Sequence, residues 1–69
     1  MRLSARNQFT GRIVSIEKGL VNGIVKIEVA KNVIITADIT NSAIEDLGLV
    51  EGKDAVAVIK STDVMIGSH

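Results

Sequence analysis

Apolar and polar residues alternate along most of the first forty positions, the period of a half-buried strand. From Gln8 to Lys18, Phe9, Gly11, Ile13 and Ser15 fall on one face; Thr10, Arg12, Val14 and Ile16 fall on the other. Gly19 ends that run. A second strand is predicted from about Val21 to Val29, with Val25, Ile27 and Val29 on one face and Ile24, Lys26 and Glu28 on the other. Ala30-Lys31-Asn32 has the length of a hairpin connection, and Asn32 tolerates the positive φ such turns need. The third strand runs from Val33 to Ile39. Val33, Ile35, Ala37 and Ile39 share one face, and Ile34, Thr36 and Asp38 the opposite one.

The period then changes. Thr40-Asn41-Ser42-Ala43-Ile44-Glu45-Asp46-Leu47-Gly48 carries cap formers, early acids and a closing glycine, and Ser42 with Glu45 fits a capping box. Ile44 and Leu47, three apart, would share a face of this short helix. Gly52 in Val50-Glu51-Gly52-Lys53 stands where a type II turn wants positive φ. Asp54 to Lys60 reads as a fourth strand, Ser61-Thr62-Asp63 as a polar break, and Val64-Met65-Ile66 as a short fifth strand. The expected fold is all-β: a single domain over residues 1–69, a small five-stranded OB-like barrel with one short helix. An open sheet with a covering helix is the rival. No internal repeat or low-complexity tract interrupts the chain.

The fourth strand is apolar on both faces, with Ala55, Ala57 and Ile59 on one and Val56 and Val58 on the other. The third carries Ile34 opposite its main apolar face. Antiparallel strands commonly show water one face, so two-sided strands in so short a chain imply a second buried surface, most simply another subunit; a strand crossing the middle of a closed core is the alternative. Length points the same way. A chain of 69 residues has a core whose gains roughly offset the entropy of ordering the backbone. It has no cysteine for a disulfide or thiolate metal site, which leaves self-association.

Composition excludes several classes of function. Eight basic residues balance eight acidic ones, and Phe9 is the one aromatic residue. A nucleic-acid binder needs a basic footprint and, for single strands, aromatic stacking platforms; neither is present. No apolar run reaches the roughly 18–20 residues of a membrane span, and the polar N-terminus lacks a signal peptide's apolar region. A cytoplasmic protein is expected. Gly67-Ser68-His69 has the look of the start of a purification tag, so His69 carries no functional weight.

No catalytic constellation emerges, and the chain reads as a binding protein rather than an enzyme. Glu45 and Asp46 are adjacent and diverge on a helix. Asp38 and Asp63 have no evident partner. The Gly19–Gly23 stretch lacks the Gly-Lys-Ser/Thr ending and following helix of a phosphate loop. Two polar segments offer more. Ser4-Ala5-Arg6-Asn7-Gln8 holds a hydroxyl, a guanidinium and two amides in five residues; Lys60-Ser61-Thr62-Asp63 adds an ammonium and two hydroxyls. Two cations with neutral donors suit a small tetrahedral oxyanion, whose oxygens accept charge-assisted bonds. A strand lead-in and a surface turn are the plainer interpretation of the same residues.

These segments resemble the molbindins, the Mop family of small molybdate-binding proteins with a TOBE-type domain. The likeness begins with Ser4-Ala5-Arg6-Asn7-Gln8, Gly11 and Val14-Ile16-Lys18-Gly19. It continues through Ile39-Thr40, Glu45-Asp46-Leu47-Gly48-Leu49 and Gly52, and ends with Ala57-Val58-Ile59-Lys60-Ser61-Thr62-Asp63-Val64-Met65. It spans nearly the whole chain in order. The resemblance implies an OB-like fold, a homo-hexamer built as a trimer of dimers, and molybdate or tungstate bound in pockets between subunits. It places the binding residues at Ser4, Ala5, Arg6, Thr40, Ser42, Lys60 and Ser61. A second kind of oxyanion site occurs in the family near a threefold axis, and the Lys18 to Asn22 turn is the candidate for it here, with Lys18 and Asn22 as its donors.

Physical chemistry is compatible with that set. Arg6 and Lys60 would neutralise a dianion, and Ser4, Ser42 and Ser61 with the Ala5 amide would satisfy its oxygens. The Thr40–Ser42 segment opens a helix, where amides favour an anion. Oxyanion storage and homeostasis is the first functional expectation. A structural or ligand-sensing subunit that recruits a molybdate transporter or regulator is the second.

Overall fold

The computed structural model describes residues 4–68. Met1–Leu3, the head of the polar N-terminal stretch, and His69, the end of the tag-like tripeptide, lie outside the described residues. The elements are β1 (Asn7–Lys18), β2 (Asn22–Ala30), β3 (Val33–Thr40), α1 (Asn41–Asp46) and β4 (Asp54–Ile59), followed by a 3-10 turn at Ser61–Asp63. The strands form one antiparallel sheet in the order β3-β2-β1-β4.

β1 is the pivot. Its first half pairs with β4, from Asn7 opposite Ile59 to Arg12 opposite Asp54. Its second half pairs with β2, from Arg12 opposite Glu28 to Lys18 opposite Gly23. A strand handed from one neighbour to the other curls the sheet. Gly11 sits at the hand-over, and a Cβ there would lie 2.4 Å from the Glu28 carbonyl oxygen.

The register of β1 shifts between Ile13 and Ser15. This corrects the face assignment expected from strict alternation. Ile13 and Ile16, set on opposite faces by the two-residue period, both pack in the core. A bulge inserts a residue and exchanges the faces beyond it. The loop between α1 and β4 takes up the backbone groups this frees. The Ile13 N–H donates to the Lys53 carbonyl (2.9 Å), the Gly52 N–H to the Ile13 carbonyl (2.8 Å), and the Ile16 N–H to the Glu51 carboxylate (3.0 Å).

The buried core is Ile13, Val25, Ile27, Ile44 and Ala57, flanked by Ile16, Val29, Ile35, Ile39, Leu49 and Ala55. The expected inner face of β2 therefore holds, and that of β3 holds at Ile35 and Ile39, while Val33 at the hairpin is 48% exposed. Asn32 adopts φ 63 in the β2–β3 hairpin, and Gly48 and Gly52 adopt φ 64 and 91 at the turns foreseen for them. β4 keeps its two-sided character: Ala57 is buried, while Val56 and Val58 stay about 40% exposed on the far face.

Three further expectations fail. First, Leu47 does not share the buried face of α1. It is the C-cap and 70% exposed. The chain turns at Gly48, and Leu49, whose N–H bonds to the Ile44 carbonyl at 3.0 Å, packs on the core instead. Second, the cap is Thr40 rather than Ser42. β3 runs into α1 without a linker, so Thr40 keeps an extended backbone and its hydroxyl oxygen accepts the Ala43 N–H at 3.0 Å. Third, Val64–Ile66 is not a strand, and the sheet has four strands rather than five. A strand needs an edge to pair with, and within one described chain this segment reaches none. Met65 and Ile66 are more than 90% exposed. On the open side, an apolar cleft of about 690 Å³ lies between β4 and a wall of β2, β3 and the segment that follows α1, lined by Ile35, Ile39, Leu49, Ala55, Ala57 and Ile59 among others.

Candidate oxyanion site

The β1–β4 ladder brings the first two candidate segments together. Its last pair is Asn7 with Ile59. Arg6 and Lys60 are the residues next beyond that pair, followed by Ala5 on one side and by Ser61, which opens the 3-10 turn, on the other. Local bonds fix both ends. The Gln8 side-chain amide donates to the Ala5 carbonyl at 3.2 Å, and the Asp63 N–H donates to the Lys60 carbonyl at 2.9 Å, closing the 3-10 turn. Ser4, Arg6, Lys60 and Ser61 are exposed and Ala5 is half-buried. Among the described residues neither Arg6 nor Lys60 pairs with a carboxylate; the ion pair found there joins Lys18 to Glu45 at 3.4 Å. Two adjacent cations without an internal counter-charge form a place where an anion is stabilised and a cation is not.

Thr40 and Ser42 lie elsewhere. Thr40 pairs with Asn22 at the far end of β2–β3, level with the end of β1 at Lys18 and Gly23. β1 has 12 residues, so roughly 35 Å of strand path separates its two ends. Among the described residues no hydrogen bond or ion pair joins the Thr40–Ser42 segment to Ser4–Arg6 or to Lys60–Ser61. The chain thus presents the seven residues as two groups. Thr40 retains donor capacity: its oxygen accepts from Ala43, leaving the hydroxyl proton to donate outward. Ser42 is exposed in the first turn of α1.

The donors expected of a second site already have partners. Lys18 Nζ faces Glu45 Oε1, and Asn22 Nδ2 donates to Asp38 Oδ1 at 3.0 Å. An anion at this turn would compete with two carboxylates, both exposed and therefore weak holders of their donors.

One residue that carries geometry here was read from sequence only as a cap former. Asn41 donates its side-chain amide to the Gly19 carbonyl at 2.9 Å and its backbone N–H to the Val21 carbonyl at 2.7 Å. Its partners lie about twenty positions away, across two strands, where no local pattern points.

With this geometry in place, the likeness to known proteins is informative. Residues 3–66 match the TOBE domain. The chain is 52% identical over 66 residues to a protein of Clostridium pasteurianum named molybdenum-pterin-binding protein 3, covering 96% of this chain and 97% of that one. Among solved structures it superposes on MopII of the same organism with a TM-score of 0.90 and 45% identity, over 97% of this chain and all of that chain. It also superposes on the cytoplasmic molybdate-binding protein ModG, determined with molybdate bound, with a TM-score of 0.89 and 43% identity, over 94% of this chain and 46% of that one.

Proposed function

Since the chain belongs to the TOBE domain family, as a protein of the Mop (molbindin) type, we propose that it is a cytoplasmic molybdate-binding protein whose pockets are completed by a second copy of itself. The observation that carries this reading is the division of the candidate residues. Arg6 and Lys60 with Ser4, Ala5 and Ser61 gather at one end of β1, and Thr40 with Ser42 at the other. Two copies laid end against end unite them in one pocket. A dianion would meet the two cations on one side and hydroxyl donors on both. Enclosure between chains removes water, which makes each contact stronger than on an open surface.

The surface supports assembly. A folded 7.3 kDa chain exposes roughly 4,200 Å² by the usual size scaling, whereas this one exposes 5540 Å². The excess includes apolar side chains that water does not favour: Leu20 is fully exposed, Met65 and Ile66 nearly so, and Val56 and Val58 remain open on β4. Exposed apolar side chains in such number in so short a chain favour burial against another copy. The assembly proposed is a homo-hexamer, a trimer of dimers, the state that the resemblance to the molbindins implies. Tungstate, a dianion of the same shape, would fit the same donors. The set is one of binding groups rather than of an acid–base pair, so storage and homeostasis of the oxyanion is the role it serves. The Lys18–Asn22 turn is retained as the place of a second, weaker oxyanion site.

Calorimetric titration of the pure protein with molybdate alone, no pterin being present, tests the reading. Saturable heat with molybdate and with tungstate is expected, and none with sulfate or phosphate at the same concentration. No saturable heat with either metal oxyanion would overturn it.

A further inference from the structure

The first turn of α1 is held by something other than itself. A helix of six residues is far too short to persist on helical bonds alone. Ile44, 2% exposed, fastens its middle to the core, and the Leu49 N–H closes its C-terminal end on the Ile44 carbonyl. Its N-terminal end has Asn41. Through the Nδ2 bond to Gly19 and the backbone bond to Val21, this residue grips the β1–β2 turn twice. That turn is itself closed by the Gly19 N–H on the Asn22 carbonyl at 2.7 Å.

Asn41 costs the fold something. Its Oδ1 is buried and has no hydrogen-bond partner. An unsatisfied buried acceptor is unfavourable, and an apolar side chain of similar size would avoid it. The residue also needs Gly23, where a Cβ would lie 3.1 Å from Oδ1 and 2.6 Å from Ile44 Cδ1. Core packing therefore gives no reason for an asparagine here. Its chain neighbours do: Thr40 and Ser42 flank it on either side, and their hydroxyls are aimed by the angle at which the first turn leaves β3.

We propose that Asn41 is a positioning residue for oxyanion binding: by clamping the start of α1 to the β1–β2 turn it sets the direction of the Thr40 and Ser42 hydroxyls without touching the anion. This rests on the functional reading given above. It separates affinity from stability in a way that a merely structural residue would not. Asn41→Leu removes the side-chain half of the clamp together with the orphan acceptor, and keeps the backbone bond to Val21. Its melting temperature without ligand is expected to equal or exceed that of the parent. Its affinity for molybdate is expected to fall about 10-fold, the lower end of what losing an outer partner costs a bound metal. Ile13→Val, a core change on β1 that leaves both Asn41 bonds in place, is the control; it should lower the melting temperature and leave affinity alone.

Hydrogen exchange at the backbone amides of residues 41–43 is the second measurement, and faster exchange in Asn41→Leu is expected. Unchanged affinity in Asn41→Leu would overturn the proposal. So would an affinity loss that tracks a loss of stability, or that Ile13→Val reproduces. If the parent protein binds no molybdate, the functional reading falls instead. The exchange rates then decide on the clamp, and unchanged rates in Asn41→Leu would remove it as well.

Discussion

Replacing Arg6 or Lys60 by alanine is expected to abolish most molybdate binding and leave the chain folded. Both side chains are exposed and neither holds a carboxylate among the described residues, so their removal opens no cavity and breaks no internal ion pair. In the ligand-bound pocket the balance differs. A dianion enclosed between chains loses its water, and each charge-assisted contact then matters more than at a surface. Truncating one partner of a buried, hydrogen-bonded charge pair costs about 2–5 kcal/mol, a loss of about 30-fold to several thousand-fold in affinity. The ligand-free thermal midpoint should hold or rise, since two neighbouring cations repel and the substitution relieves that repulsion. Calorimetric titration of the two variants beside the parent reads both quantities. Parent-like affinity in both would show that the oxyanion sits elsewhere than between the Ser4–Arg6 and Lys60–Ser61 segments.

Ile44→Ala should be among the most damaging single changes outside the site. Ile44 is among the three most deeply buried side chains, with Ile13 and Val25, and it is the sole residue of α1 to reach the core. Truncating a buried isoleucine to alanine costs about 2–5 kcal/mol through lost transfer energy and the cavity left behind. A small domain has roughly 0.05–0.15 kcal/mol per residue in total, so this is a large fraction of what holds it folded. Each kcal/mol moves the melting temperature of a domain this size by about 4–8 °C. Leu47→Ala, three residues on, should change stability by no more than about 0.5 kcal/mol, as an exposed surface position does. Thermal unfolding of the two variants side by side checks the contrast. Equal losses would mean that Leu47 is buried after all.

That contrast also marks where pattern reading stops. The two-residue period located β1 through β4 and most of the inner faces of β2 and β3, because those strands pair in register from Asn22–Thr40 to Glu28–Ile34, short of the shift beside the hairpin, and one face of each is buried. Within β1 it failed after Val14. A bulge is stabilised by distant groups, here Glu51, Gly52 and Lys53, and leaves no mark in the local alternation. Helical spacing linked Ile44 to Leu47 because it cannot tell that the helix stops at Asp46. The capping box expected of Ser42 and Glu45 does not form: Thr40 caps the helix because it is the last residue of β3 and already extended, and Ala43, three residues on, has no polar side chain to reciprocate. Val64-Met65-Ile66 has the composition of a strand, but pairing belongs to the partner edge, which no composition supplies.

The candidate site was legible to a different degree. Its charged half, Arg6 and Lys60, stood out as cations with hydroxyl neighbours, and the β1–β4 register places the two segments side by side. That Thr40 and Ser42 would sit at the opposite end of the sheet could not be read without the strand order. Asn41 was invisible for the same reason, since its partner Gly19 lies across β2 and β3.

The separation of the two groups of residues makes mixing of subunits the most direct test of a pocket shared between copies. Arg6→Ala spoils one group, and Ser42→Asp, at an exposed position, spoils the other by setting a carboxylate against the anion. Each variant alone should bind molybdate weakly. Unfolded together in equal amounts and refolded, they form mixed assemblies. Wherever the intact Arg6 end of one chain meets the intact Ser42 end of the other, a complete pocket is restored. Random mixing in a symmetric oligomer should recover roughly a quarter of the parent's sites at full affinity. A mixture that binds no better than its two parents would show that all the ligands come from one chain, or that one of the two groups takes no part.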